Sequence, residues 1–158
     1  MRRSVPEDFS ALLDLFKEVA AEGRWIGTEP GFDRARYRTN WERWFHDPRF
    51  LMLSALDRER LVGNLSVYPD PSLGFEFGML VAPTHRRRGI GRALIEHACA
   101  WAREREIAAL YLHVFPHNLA ALALYRALGF VEVERHVAAM VRANGEAWDV
   151  LRMRKELR

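Results

Sequence analysis

Cysteine occurs once in this 158-residue chain, at Cys99, which excludes an intrachain disulfide and a thiolate zinc cluster. Lysine is scarce as well: of the 24 basic residues only Lys17 and Lys155 are lysines, a skew of composition rather than a binding signal. No apolar run reaches the roughly 18 residues of a membrane span. The start, Met1-Arg-Arg-Ser-Val-Pro6, has no apolar core of the kind a secretory leader carries, so the cytoplasm is the default expectation. A clustered basic face is missing too. The net charge of +3 and pI near 9.4 arise from interspersed Arg and Glu, a pattern suited to anionic ligands but not to a nucleic-acid partner.

What the chain does have is enough apolar residue, 49%, to bury a full core, and its length predicts one domain over 1–158. The most informative stretch is Val81-Ala-Pro-Thr-His-Arg86-Arg-Arg-Gly89-Ile-Gly91-Arg92. Before it, Phe75 to Val81 reads as a strand; after it, Ile90, Ala93, Leu94, His97, Ala98 and Trp101 recur at helical spacing. Gly89 and Gly91 thus fall at a helix N-terminus, where main-chain N–H groups lack partners and the helix dipole is positive. Such a turn stabilises phosphate, with three arginines as counter-charge. Two other phosphate loops fail on spacing. No Lys-Ser/Thr pair exists for a P-loop, and the third position of a dinucleotide fingerprint is Leu94 rather than Gly or Ala.

The remaining pattern, Arg86-x-x-Gly89-x-Gly91-Arg92-Ala93 after a strand ending in Val-x-Pro, resembles the pyrophosphate motif of the GCN5-related N-acetyltransferase (GNAT) superfamily. Downstream, Asn118-x-x-Ala121-x-x-Leu124-Tyr125-x-x-x-Gly129-Phe130 resembles the next motif of that superfamily, in the same order. The resemblance is dense over 75–131. It implies an α/β (α+β) fold with a mixed, mostly antiparallel sheet of about six or seven strands flanked by about four helices. The elements read along the chain agree with the family order β-α-α-β-β-β-α-β-α-β-β. A stub strand precedes a helix over Asp8 to Gly23, and a second helix runs from Gly31 to His46. A hairpin follows around Asp57-Arg-Glu-Arg60, and after Phe130 the strands Val131 to Val141 and Trp148 to Met153 join at Asn144-Gly145.

The resemblance implies acetyl-CoA as co-substrate, no metal, and transfer of its acetyl group directly to a primary amine. Main-chain groups of Met79, Leu80 and Val81 would hold the pantetheine. Arg86, Arg87, Arg88, Gly89, Ile90, Gly91 and Arg92 would hold the pyrophosphate, Asn118 would contact CoA, and the Tyr125 hydroxyl would protonate the leaving sulfur. For the base the candidate is Glu76, flanked by Phe75 and Phe77; a strand-edge salt bridge is its alternative role. Trp25 and Glu29, between the first two helices, are candidates for the acceptor site, which with the aromatic second helix would enclose a pocket for a small-molecule amine. Three other readings stay open: acetylation of a protein or peptide N-terminus, a non-catalytic acyl-CoA-binding module, and pairing of the closing strands across a homodimer. His113 and His117 have metal-like spacing, but they straddle a strand end and Pro116 and no third ligand is evident. His97 and Cys99 face apart on a helix and make no nucleophile and base pair.

Overall fold

The computed structural model describes all residues from Met1 to Arg158. Eleven regular elements follow the expected order: β1 (Arg2–Arg3), α1 (Phe9–Ala20), α2 (Arg34–Phe45), β2 (Leu51–Asp57), β3 (Arg60–Asp70), β4 (Gly74–Val81), α3 (Ile90–Glu104), β5 (Ala109–Val114), α4 (Leu119–Ala127), β6 (Val131–Val141) and β7 (Ala147–Glu156). The seven strands form one sheet in the order β1-β2-β3-β4-β5-β7-β6. Every neighbouring pair is antiparallel except β4 and β5, which α3 connects as a parallel crossover. No helix is long and apolar enough to cross a membrane.

Local chemistry sets the element ends. The apolar stripe Phe9, Leu12, Leu13 and Val19 buries one side of α1, and Gly23 takes a left-handed φ of 69° just beyond its last turn. The second helix begins later than Gly31. Asp33 caps it, accepting the Arg36 N–H on its side chain, and the segment before Asp33 is a loop. Its aromatic residues are spent on packing: Trp41 is buried against Phe9 and Phe16, and Trp44 stacks between Phe50 and Tyr68. The third strand runs through Pro69 to Asp70. Proline is tolerated there because β2 has already ended, with Leu51 opposite Val67, so no ladder bond to β2 is lost. The sixth strand is not a plain strand. Its register slips twice, and Ala138, at φ 50°, gives its N–H to the Asp149 carboxylate.

One departure from regular pairing positions everything below. On one side β5 pairs with β7 along all of Ala109 to Val114, but on the other it meets β4 through a single register pair, Glu76 with Tyr111. Beyond Glu76 the two strands diverge and leave a gap that points along the C-terminal half of β4.

Candidate functional site

The gap is lined first by backbone. Ala82 N–H bonds to the Val62 carbonyl, so in the antiparallel register Leu80 and Gly78 also exchange their main-chain bonds with β3. The N–H and C=O groups of Met79 and Val81 turn the other way, into the gap. Leu80, a candidate from sequence, therefore has no main-chain group left for a ligand. The Val81 carbonyl accepts from Arg86 Nε at 3.2 Å, which leaves the Val81 N–H as the free donor beside the opening.

The turn after β4 holds more donors. Pro83–His85 forms a 3-10 turn, Arg87 and Gly89 both adopt left-handed φ values of 62° and 80°, and Gly89 is the N-cap of α3. Left-handed residues alternating with ordinary ones curl successive N–H groups toward one point. None of the N–H groups from Arg86 to Arg92 donates to a main-chain carbonyl; the first to do so is Ala93, to Gly89. A Cβ on Gly89 would meet nothing within 4 Å, whereas one on Gly91 would lie 3.2 Å from Leu124 and 3.3 Å from Met79. Gly89 thus serves backbone conformation, and Gly91 lets α3 approach α4 and β4. This cradle fits a pyrophosphate by its donors alone.

The arginines divide the work. Arg87 and Arg88 are exposed, and Arg92 lies 3.7 Å from Glu96. Arg86, expected to face the phosphate, instead places its two terminal guanidinium nitrogens on Glu22, at 2.8 and 2.6 Å. That pairing holds the Glu22 carboxyl below the usual range, through the Arg86 hydrogen bonds above all. Glu22 also accepts from the Trp25 indole at 3.3 Å. His85 is another residue that sequence reasoning passed over. It is buried, with Nδ1 at 2.8 Å from the Thr84 hydroxyl and Nε2 at 2.9 Å from Asp57, and so pins the turn to the β2–β3 hairpin.

Two sets of side chains meet the gap from opposite faces of the sheet. On the α3–α4 face, Asn118 caps α4 by accepting from the Ala121 N–H, and Tyr125 lies two turns on. The Tyr125 ring is wedged edge-on against Phe77 and Phe130, and burial alone pushes its hydroxyl up to about 12. On the other face Glu76 is buried, with His113 Nδ1 2.6 Å from its Oε1. Tyr68 stands beside the same carboxylate; burial first, and the charge of Glu76 second, push its hydroxyl upward. Glu76 and Phe77 are successive residues on β4, which is why they serve opposite faces.

The acceptor candidates are tied down rather than free. The Glu29 carboxylate accepts from the Ala143 N–H, at 3.2 and 3.1 Å, and faces Arg142 Nε at 3.5 Å. Arg142, itself buried, donates to the carbonyls of Ile26 and Gly27 and lies over the Trp148 ring. Glu29 is thus a latch between the α1–α2 loop and the β6–β7 hairpin, and holding a cationic acceptor is not what its geometry offers. Trp25 does sit near the mouth of the gap, half-buried, 6.1 Å from His117, whose Nε2 lies 2.7 Å from the Arg24 carbonyl.

Known proteins share this fold. The model of the acetyltransferase (GNAT) family matches residues 12–130. Over 56 residues the chain is 46% identical to the [ribosomal protein bS18]-alanine N-acetyltransferase of Escherichia coli K12; the match covers 35% of this chain and 38% of that one. Over 125 residues it is 31% identical to the mycothiol acetyltransferase of Rhodococcus opacus, covering 74% of this chain and 39% of the other. The chain thus spans well under half the length of the curated relatives it matches. Among solved structures, the ribosomal-protein-alanine N-acetyltransferase of Brucella melitensis superposes with a TM-score of 0.88 at 29% identity, over 98% of both chains. By the family model and by the fold, this chain belongs to the GNAT acetyltransferase family.

Proposed function

We propose that the protein, acting as one domain over 1–158, is an N-acetyltransferase that moves the acetyl group of acetyl-CoA directly to a primary amine. One observation carries the reading: the β4–β5 gap has a buried, uncharged phenol on one face and a carboxylate–imidazole pair on the other. A thioester lying in that gap would present its sulfur to Tyr125 and its carbonyl carbon to an amine arriving from the side of Glu76. The nest from Arg87 to Arg92 supplies donors for the pyrophosphate. Each hydrogen bond to a charged group contributes roughly 1.5–3 kcal/mol. The free Val81 N–H is suited to polarise the thioester carbonyl.

In the reaction the ammonium first loses a proton to the Glu76 side. The amine nitrogen then attacks the carbonyl carbon, the C–S bond breaks, and the second proton of that nitrogen reaches sulfur by way of the Tyr125 hydroxyl. The products are the amide, CoA thiol and one proton. A thiol has an ordinary pKa near 8.5, so the sulfur leaves tolerably well and needs only modest acid assistance.

For the acceptor, the pocket expected from Trp25, Glu29 and the aromatic second helix is not assembled, since Trp41 and Trp44 are packing residues and Glu29 is latched to Ala143. An α-amine at a protein or peptide N-terminus suits an open approach better than a small-molecule amine, and the ribosomal-protein-alanine relatives support it. A non-catalytic acyl-CoA-binding module is the competing class, and it gives no account of Tyr125. Calorimetric titration with acetyl-CoA, with CoA and NAD as controls, tests the core. Micromolar binding of acetyl-CoA but not NAD, followed by thiol release with alanine-terminal peptides, is the expected result. Absence of acetyl-CoA binding would overturn it, and turnover with free amines but not peptides would return the acceptor to the small-molecule class.

A further inference from the structure

The proposed reaction leaves open which atom of the Glu76 pair takes the proton, and the hydrogen bonds around His113 decide it. Imidazole has two nitrogens, and each is donor or acceptor according to what faces it. His113 Nδ1 lies 2.6 Å from Glu76 Oε1, and Nε2 receives the Nε–H of Arg152 at 3.4 Å. A guanidinium carries donors and no acceptor, so Nε2 must present a lone pair. The one ring proton is then on Nδ1, donated to the carboxylate. This geometry favours the tautomer with its proton on Nδ1 and a lone pair on Nε2.

Exposure separates the partners further. The Glu76 side chain is 12% exposed and that of His113 is 31% exposed. The carboxylate is flanked by Tyr68 on β3 and His113 on β5, while Nε2 faces the open side of the sheet across a long, weak contact. The groups around the ring are Glu76 from β4, Arg152 from β7, and Glu134 and His136 from β6. Arg152 is itself paired with Glu134, and the His136 ring lies 6.1 Å from that of His113.

We infer, resting on the acetyl-transfer reading, that His113 Nε2 is the general base for the acceptor amine, and that Glu76 is a positioning residue that fixes the reactive tautomer. One N–H bond of the ammonium breaks, the long Arg152 contact on Nε2 gives way, the proton forms a bond to Nε2 directly or through one water, and the electron pair stays on the amine nitrogen for attack. The imidazolium that forms is stabilised by the Glu76 carboxylate on its other side, as a carboxylate does for histidine in a nucleophile–histidine–carboxylate triad. It returns its proton to solvent at the exposed Nε2 edge.

The test compares His113→Gln and Glu76→Gln with the unaltered protein, measuring acetyl-CoA affinity by calorimetry and kcat against pH. His113→Gln is expected to lower kcat by about 10²-fold and to remove the acidic limb of the kcat profile, with the acetyl-CoA Kd unchanged within about twofold. Glu76→Gln keeps an acceptor oxygen for the Nδ1 proton but removes the charge that stabilises the imidazolium, so kcat should fall by less than in His113→Gln, and the double substitution should be no worse than His113→Gln alone. If Glu76 is itself the base, Glu76→Gln abolishes turnover while His113→Gln keeps kcat within about twofold and retains the acidic limb; that outcome overturns the inference and leaves the acetyl-transfer reading standing. Should Glu76→Gln not fold, nitrogen-15 NMR of the unaltered protein at neutral pH gives an independent answer. A proton on Nδ1 of His113 is expected, and a proton on Nε2 would overturn the assignment. An unaltered protein that neither binds acetyl-CoA nor releases thiol would instead refute the reading beneath it.

Discussion

Replacing Tyr125 by Phe removes one oxygen from a ring whose position owes nothing to that oxygen. The ring is set by Phe77 and Phe130, with centroids at 6.2 and 6.0 Å, and Tyr125 is 7% exposed. Burial is the sole cause raising its hydroxyl to about 12, with no hydrogen bond or charge contributing. The hydroxyl has no hydrogen-bond partner in the protein, so deleting it forfeits no such bond, and Tyr125→Phe should leave stability unchanged within about 1 kcal/mol. Catalysis should fall. Loss of a proton donor to a thiolate that leaves tolerably alone corresponds to about 10²-fold in kcat, or about 2.7 kcal/mol of barrier. The contrast between the two effects is what makes the variant informative. Thiol release at saturating acetyl-CoA and acceptor should show the fall in kcat with an unchanged KM for acetyl-CoA, beside a melting temperature that does not drop. A kcat within about twofold of the unaltered protein would refute the donor role. A fall in kcat that tracks a fall in melting temperature would refute the claim that the hydroxyl is structurally idle. A hydroxyl at about 12 is also uncharged throughout the assay range, so Tyr125 should add no basic limb to the pH profile.

Glu22→Gln tests the link between the phosphate turn and the α1–α2 loop. Because Arg86 holds the Glu22 carboxyl below its ordinary 4.5, its stabilisation is present above that value and is lost as pH falls through the lower folded one. Screened by partial exposure, the pair should contribute about 1 kcal/mol, so the variant should melt about 2–4 °C lower at neutral pH. The difference should close as the pH is taken well below 4.5, and a gap that persists there would count against the pairing. Gly89→Ala puts a side chain into open space but onto a φ of 80°, which costs about 1–2 kcal/mol in backbone strain. It should both lower the melting temperature and weaken acetyl-CoA binding in calorimetry, and a stable variant with unaltered affinity would show that the turn does not depend on its left-handed residue.

Much of this architecture could be read from the sequence because its signals are local. A strand ending at Val81, glycines at a helix start and an apolar stripe from Leu94 to Trp101 place β4, the turn and α3 without any knowledge of partners. Asn118 and Tyr125 share a helix face for the same reason. What the sequence did not disclose is what joins distant segments. Glu22 and Arg86 are 64 positions apart, and Glu29 and Ala143 are 114 apart. Neither pair has a spacing, so a glutamate in a loop looked free to hold a ligand and an arginine beside a glycine turn looked free to hold phosphate. The aromatic residues of α2 misled similarly, because helical spacing fixes which residues share a face but not whether that face meets a ligand or α1. His113 carries no local sign of its partner, because Glu76 lies on another strand 37 positions away.

The gap and the chemistry it could perform have one origin. A parallel neighbour can enter an otherwise antiparallel sheet only through a crossover, here α3, and the crossover begins at the turn of free N–H groups. Once β4 and β5 diverge past Glu76, each keeps its outer partner, so the sheet remains intact while the inner edge of β4 is left unpaired at Met79 and Val81. Under the proposed function, the unpaired main-chain donors, the nest from Arg87 to Arg92 and the Tyr125 hydroxyl would lie on the path of one ligand, and all of them suit anionic or electron-rich groups such as phosphate, a thioester oxygen or a departing sulfur. On the opposite face the Glu76 carboxylate pairs with His113. A ligand that donates an acyl group and a second that arrives carrying too many protons would be sorted to opposite sides of the same opening. The strand divergence that exposes the donors also removes the backbone that would otherwise separate them from Glu76 and His113.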